Sequence, residues 1–162
     1  EWYKYYYQLP FQNFEEYQQL VAKYKTWYEI RNHFRWGIVL KETQEMIGLV
    51  QLHTKDELNN HCKLGYIIGY QYHHQGYAKE AVNKVIDFAF DTLGYHRIEA
   101  DIVVKNQDSI HLAESLGMEM EAVQKESYRL EEQYLDQKVY VLLNRKKQIT
   151  FCGIYFFFKI LL

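Results

Sequence analysis

The segment HHQGYAKEA, residues 73–81, joins an apolar run to a stretch with helical periodicity and contains a single glycine, Gly76. A helix that begins just after such a turn presents the free N–H groups of its first turn and the positive end of its dipole. Gly76 permits a tight turn and a close approach of a ligand to the backbone. Ala78 is small, and Lys79 adds a positive charge at the rim. These features are compatible with a binding site for a phosphate or a diphosphate.

A plain strand-to-helix turn is the alternative interpretation of Gly76, because single glycines are common at turns. The segment lacks the phosphate-loop pattern G-x-x-x-x-G-K-[ST] and the dinucleotide pattern G-x-G-x-x-G. Nucleotide hydrolases and dinucleotide-dependent dehydrogenases are therefore disfavoured. Taken alone, the turn favours the plain interpretation.

The elements that must position this turn follow from the periodicity of apolar residues. A helix is predicted from Asn13 to about Tyr28, and a second one from Gly76 to Leu93, with Gly94 after it. A third, short helix is predicted with Asn106 as its N-cap and Gly117 after its end. The predicted strands are residues 35–41, 46–53, 63–70, 97–104, 118–130 and 137–144. This order predicts an α/β (α+β) fold with a mixed sheet and helices on both faces.

Length and composition indicate one domain, residues 1–147 of the 162. A net charge of −2 gives no electrostatic case for nucleic acid as a partner. Cys62 and Cys152 are far apart in the sequence and in no metal-binding spacing, which favours reduced thiols in a cytoplasmic protein. The apolar tail, residues 148–162, is too short for a membrane span and is expected to lie outside the fold. A membrane-associated or partner-binding tail is the alternative.

Five short motifs occur in one order along the chain. They are KLGYIIG at 63–69, HQGYA at 74–78, HRIEA at 96–100, N-x-x-S-I from Asn106 and ESLGM at 114–118. Together they resemble the GNAT superfamily of acetyl-CoA-dependent N-acetyltransferases, and within it the RimJ/RimL type that acetylates N-terminal amines of ribosomal proteins. The resemblance covers roughly residues 10–145. It implies a mostly antiparallel sheet that is splayed at its centre. The family's first strand has no counterpart here, which suggests a truncated N-terminus.

The resemblance also implies how acetyl-CoA would bind. The diphosphate is expected on the loop and helix start formed by His73, His74, Gln75, Gly76, Tyr77, Ala78 and Lys79. The pantetheine arm is expected along the strand end Ile67, Ile68 and Gly69, with a hydrogen bond from Asn106. Two adjacent histidines without further ligands make a poor metal site, so we expect solvated loop histidines and no metal.

Several superfamily members use a tyrosine as general acid, and the matching position here is Ala113. The resemblance therefore points to Ser109 as the acid, with a plain helix-start hydroxyl as the alternative. A backbone N–H near Ile67 or Ile68 is expected to polarise the thioester carbonyl. Glu126, or a water that it holds, is the candidate general base, and Tyr128 is expected on the same face of the strand. An exposed strand residue is the alternative for Glu126.

The resulting hypothesis is direct acetyl transfer from acetyl-CoA to a primary amine. The acceptor is either a protein N-terminus, such as that of a ribosomal protein, or a small amine such as a polyamine. The enzyme is expected to be a monomer or homodimer with no membrane partner. A GNAT-like module that binds acyl-CoA with weak or no catalysis is the second hypothesis. A decayed gene product is the third.

Overall fold

The computed structural model describes residues 33–145 and five separate helical positions before them, residues 15, 19, 22, 23 and 26. Those five positions fall within the helix predicted from Asn13 to about Tyr28, whose other residues lie outside the described part of the chain. The tail at 148–162 also lies outside it, so its predicted exclusion from the fold stays a prediction. Within the described residues, no helix is both long enough and apolar enough to cross a membrane.

Six strands and two helices follow one another in the predicted order across residues 33–145. They are β1 Phe34–Val39, β2 Met46–Asp56, β3 His61–Ile68, α1 Tyr77–Asp87, β4 Arg97–Val103, α2 Gln107–Ser115, β5 Glu119–Leu130 and β6 Gln133–Leu143. A short 3-10 turn, Tyr70–Tyr72, follows β3. The last two strands meet in a tighter turn than predicted, because β6 already begins at Gln133.

The strands form one sheet in the order β1-β2-β3-β4-β6-β5. Every neighbouring pair is antiparallel except β3 and β4, which are parallel. These two strands pair only at their beginnings, where the last partners in register are Lys63 and Glu99. Beyond that point β3 continues to Ile68 without pairing to β4. The predicted mixed, mostly antiparallel sheet with a splayed centre is thereby confirmed.

Ion pairs join β3 and β4 where the two strands still run together. Lys63 Nζ lies 2.5 Å from Asp101 Oδ2, and His61 Nε2 lies 3.2 Å from Glu99 Oε2. Arg97 Nη2 lies 2.6 Å from Glu99 Oε1 on the same strand. The polar face of β4 thus has a structural role through Glu99 and Asp101.

The main core lies between the sheet and the two helices. The apolar stripe of α1 contributes Val82, Val85 and Ile86, and α2 contributes Ile110 and Ala113. They pack with strand residues from β2, β3, β4 and β6. The sequence predicted this stripe from its helical spacing. Both helices are therefore fixed against the sheet on the side of their apolar residues.

The predicted helix from Gly76 to Leu93 is regular only as far as Asp87. Residues Phe88–Thr92 form a π-helical turn, in which the Leu93 N–H donates to Phe88 O at 3.1 Å. The ring of Phe88 packs edge-on against Trp36 of β1, with ring centroids 5.6 Å apart. The spacing of apolar residues in the sequence is that of a regular helix as far as Leu93, so it does not reveal this wider turn.

Candidate functional site

A cavity of about 530 Å³ opens beside the splayed end of β3. It is bounded by β3, the loop after it, the first turn of α1 and one side of α2. Nine residues predicted for cofactor binding line it: Ile67, Ile68, His73, His74, Gly76, Ala78, Lys79, Asn106 and Ser109. The sequence thus located most of the cavity wall, which comes from three elements that are separate in the chain.

Three other predicted residues belong to the same loop but do not line the cavity: Gly69, Gln75 and Tyr77. The Gln75 side chain turns back along the loop, where its Nε2 donates to Gln71 O at 2.8 Å. The Tyr77 ring packs edge-on against Tyr72, with centroids 6.4 Å apart. Only the backbones of Gln75 and Tyr77 therefore remain suited to the predicted role.

The first turn of α1 presents unused backbone donors. Gly76 is its N-cap residue at φ +86° and ψ −13°, a left-handed conformation that glycine adopts readily. The first N–H of the helix to find a backbone acceptor is that of Glu80, which donates to Gly76 O at 3.0 Å. The N–H groups of Tyr77, Ala78 and Lys79 precede that bond and have no acceptor within the helix. A Cβ at Gly76 would meet nothing within 4 Å, so a ligand can approach the backbone there.

His74 also has a left-handed backbone, with φ +58°. The resembled family usually has glycine at this position, so backbone binding by the loop requires His74 to adopt this conformation. A non-glycine residue pays a modest strain cost for this geometry. The loop shape is therefore compatible with backbone binding of an anion.

The end of β3 directs backbone groups into the gap between β3 and β4. The Gly69 N–H donates to Ile47 O of β2 at 2.8 Å. Backbone groups of successive residues in an antiparallel strand point to opposite edges. The N–H and C=O of Ile68 therefore point away from β2, toward the gap. Of the two residues predicted to polarise a carbonyl, this geometry favours Ile68 over Ile67.

The first turn of α2 is anchored at the floor of the cavity by two hydrogen bonds. Asn106 Oδ1 accepts from the Ser109 N–H at 3.2 Å, which confirms the predicted N-cap. The Tyr66 hydroxyl donates to Ser109 O at 3.1 Å. Burial raises the pKa of Tyr66 to about 12, so its hydroxyl stays protonated at neutral pH. These bonds fix Asn106 and Ser109 relative to β3.

The predicted catalytic residues do not all gather at this cavity. Ser109 lines it, whereas Glu126 and Tyr128 do not. Glu126 is exposed at φ +50°, within a register shift between Gln124 and Tyr128. Tyr128 is buried in a second small core cluster. The bulge interrupts the alternation that was expected to place both side chains on one face. Their catalytic roles stay predictions.

Ala113 occupies the position where the resembled superfamily can have a tyrosine acid. It is fully buried in the main core. In this chain the position serves packing, and an acid from α2 would have to come from another residue of the cavity wall.

Seven residues of the cavity wall were not predicted as site residues from the sequence. Three are tyrosines of β3 and of the turn after it, Tyr66, Tyr70 and Tyr72, and the other four lie on α2: Asp108, His111, Leu112 and Ser115. The spacing of the α2 residues, three to four positions, marks one side of a helix, and that signal was available in the sequence. Asp108 faces the loop after β3. Its Oδ2 lies 3.5 Å from His73 Nδ1, and its Oδ1 lies 3.8 Å from His74 Nε2.

The expectation of two solvated loop histidines is therefore corrected for His73. Its side chain is only 22 % exposed, and its Nε2 lies 3.2 Å from Ile68 O. His74 remains 79 % exposed. Asp108 lies in the first turn of α2, and folding places this turn beside the loop after β3. Its carboxylate therefore comes close to both imidazole rings.

Two sequence comparisons relate this chain to known acetyltransferases. The sequence model of the acetyltransferase (GNAT) domain matches residues 1–119. The uncharacterized N-acetyltransferase p20 of Bacillus licheniformis is 34 % identical over 112 residues, which are 69 % of this chain and 63 % of that protein. The chain thus spans a little under two thirds of p20. Spermidine N(1)-acetyltransferase of Vibrio cholerae serotype O1 is 26 % identical over 143 residues, 88 % of this chain and 80 % of that protein.

Solved structures show the same fold. Spermidine N-acetyltransferase from Vibrio cholerae, crystallised in complex with CoA and spermine, superposes with a TM-score of 0.77 at 24 % identity over 87 % of this chain and 81 % of that one. Ribosomal-protein-S5-alanine acetyltransferase from Vibrio fischeri gives 0.77 at 22 % identity, over 85 % and 79 %. At these identities both similarities show the shared fold.

Proposed function

Because the chain belongs to the GNAT acetyltransferase family, we propose that it transfers an acetyl group from acetyl-CoA to a primary amine. The observation that carries this proposal is the open first turn of α1 beside the unpaired edge of β3. The three unbonded N–H groups of that turn suit the two negative phosphates of CoA. The gap beside β3 suits the pantetheine arm, which can bond to a free strand edge.

In this arrangement the amine attacks the thioester carbonyl directly. The C–N bond forms as the carbonyl oxygen becomes negative, and the Ile68 N–H lies at the gap to stabilise that charge. The C–S bond then breaks, the thiolate takes a proton, and the amine loses one. Ser109 is the proposed proton donor because it is the predicted acid that lines the cavity. Glu126, or a water that it holds, is the proposed acceptor of the amine proton.

The acceptor proposed first is a polyamine such as spermidine. Its support is the relative named as a spermidine acetyltransferase, whose match extends over 88 % of this chain. A ribosomal-protein N-terminus is the second candidate, and the superposition on the S5-alanine acetyltransferase favours it. Both are primary amines and need the same chemistry at the thioester.

The test is turnover of acetyl-CoA with a panel of amines, measured as released CoA thiol and as acetylated product by mass spectrometry. The panel contains spermidine, spermine and peptides with N-terminal alanine or serine. Thiol release that depends on one class of amine is expected, and that class identifies the acceptor. Gly76→Glu should lower kcat/KM at least about tenfold, because a carboxylate would occupy the anion site.

Gly94→Glu is the matched control, because Gly94 also has a positive φ, of +72°, and open space around it, but does not line the cavity. It should retain turnover. Binding of acetyl-CoA without turnover of any amine would contradict the proposed reaction and assign the chain as an acyl-CoA-binding module. The buried Ala113 is the observation that favours this second function.

A further inference from the structure

We propose that His73, His74 and Asp108 form a site for a divalent transition-metal ion such as Zn²⁺ at the cavity wall. One potential ligand atom from each residue lies within 4.8 Å of the others. All three side chains line the cavity. From the sequence alone we expected no metal, because the two histidines have no third ligand nearby in the chain. In the folded protein, α2 places Asp108 beside them as a third ligand.

The hydrogen bond of His73 determines which of its ring atoms is available. A carbonyl oxygen only accepts, so His73 Nε2 must carry the proton in its 3.2 Å contact with Ile68 O. In the neutral ring, Nδ1 then bears a lone pair. Metal-binding histidines almost always donate their other ring N–H to a carboxylate, a backbone carbonyl or a water, and Ile68 O is such a partner.

The lone pair of His73 faces another acceptor. Asp108 Oδ2 lies 3.5 Å from His73 Nδ1, and the other oxygen of this carboxylate lies 3.8 Å from His74 Nε2. Two acceptors at such a distance repel unless a cation lies between them. A proton on His73 would satisfy one of these contacts. A single metal ion would satisfy the carboxylate and both imidazoles together.

The ligand set and its spacing suit zinc. Two ligand atoms at 2.0–2.1 Å from a tetrahedral zinc ion lie about 3.3 Å apart. The two carboxylate–imidazole distances here are 3.5 and 3.8 Å, and the three ligand atoms lie within 4.8 Å of one another, so the side chains would close on the ion when it binds. Two histidines and one carboxylate are also a recurring three-ligand set that leaves a coordination position open. The left-handed backbone of His74 places its ring beside that of His73, with centroids 6.0 Å apart.

Such an ion would link the loop after β3 to the first turn of α2 across the cavity wall. The site stands on the side-chain geometry alone and does not depend on acetyl transfer. Its failure and the failure of the proposed reaction are therefore separate outcomes.

The test is titration of the tag-free chain with Zn²⁺ by calorimetry and with Co²⁺ by visible absorption. Asp108→Asn and His74→Ala each remove one ligand, and His96→Ala removes an exposed imidazole away from the cavity. We expect one ion per chain whose affinity falls at least about tenfold in both ligand variants and is unchanged in His96→Ala. The Co²⁺ absorption should weaken in the same two variants.

Three results would overturn the site. The first is no ion bound by the folded wild-type chain. The second is an affinity that is equal in all four proteins, which would place any bound ion elsewhere. The third is a nitrogen NMR spectrum that shows His73 protonated on both nitrogens and unchanged by Zn²⁺. Circular dichroism of each variant tests whether the fold is retained. We expect it to be retained, because the side chains of His74 and Asp108 are exposed.

Discussion

Asn106 shows how one side chain at the cavity can serve both the fold and a ligand. Its Oδ1 caps α2 by accepting the Ser109 N–H, while the residue itself lies on the cavity wall. The cap engages only the amide oxygen. A role in holding the pantetheine arm would use the other end of the same group, so the two roles are compatible.

Asn106→Ala should lower the free energy of unfolding by about 1 kcal/mol, because the N-cap acceptor is lost. Asn106→Ser retains a capping oxygen and should stay within a few tenths of a kcal/mol of wild type. Urea unfolding followed by circular dichroism measures both. Equal stability of the alanine and serine variants would show that the cap contributes nothing here.

Residues whose role is set by their immediate neighbours in the chain were predictable. Gly76, Asn106 and Gly117 each mark a helix end, and the structure gives them that place, with both glycines at positive φ. Asp108 was not predictable in its relation to His73. That contact depends on how α2 docks beside the loop after β3, and no local pattern encodes the docking.

At the scale of elements, β2 contains His53, whose surroundings disfavour the protonated imidazole. The pKa of His53 is lowered from its ordinary value of 6.5 to about 4, first by burial, then by the nearby His33 ring and Lys63. The folded chain therefore keeps this ring neutral at a pH where the unfolded chain protonates it. Folding stability must fall as the pH is lowered from about 6.5 toward 4.

His53→Gln should make that fall shallower, because one proton fewer is taken up on unfolding in this window. The measurement is urea unfolding at a series of pH values between 7 and 4, compared with His96→Gln, which changes an exposed histidine. The His96 variant should follow wild type. A slope for His53→Gln equal to that of wild type would contradict the lowered pKa.

The order and type of the described elements followed from apolar alternation and helical spacing, since both patterns reflect which side is buried. Local irregularities leave no signal in these patterns, and the turn after α1 and a bulge in β5 are two examples. The π-helical turn at Phe88–Thr92 lies where the apolar spacing of the sequence is that of a regular helix. The bulge in β5 sets Glu126 at a positive φ with its N–H bonded to Asp136 Oδ1 at 2.9 Å, a contact from the neighbouring strand.

At the scale of the whole molecule, the main core holds the splayed sheet together with α1 and α2. Leu52 of β2 is fully buried within it. Leu52→Ala should cost 2–5 kcal/mol of unfolding free energy, in the range typical of a buried leucine. Leu58→Ala, in the exposed turn between β2 and β3, is the matched control and should change stability by less than about 0.5 kcal/mol.

Thermal and urea unfolding would measure this pair. A similarly small decrease in the free energy of unfolding for both variants would show that Leu52 is not buried in the core as the structure has it. The splay itself depends on the same core, because α1 and α2 pack on strands that no longer pair with each other. Its presence could be predicted only through the family resemblance, since strand periodicity says nothing about where two neighbours separate.

The proposed function requires the turn in HHQGYAKEA to bind the diphosphate of an acyl-CoA. Calorimetric titration of acetyl-CoA into the wild-type chain, Gly76→Glu and Gly94→Glu tests it most directly. We expect micromolar-range binding, about −8 kcal/mol, to wild type and Gly94→Glu, and its loss in Gly76→Glu. Equal binding by all three proteins, or none by folded wild type, would contradict it.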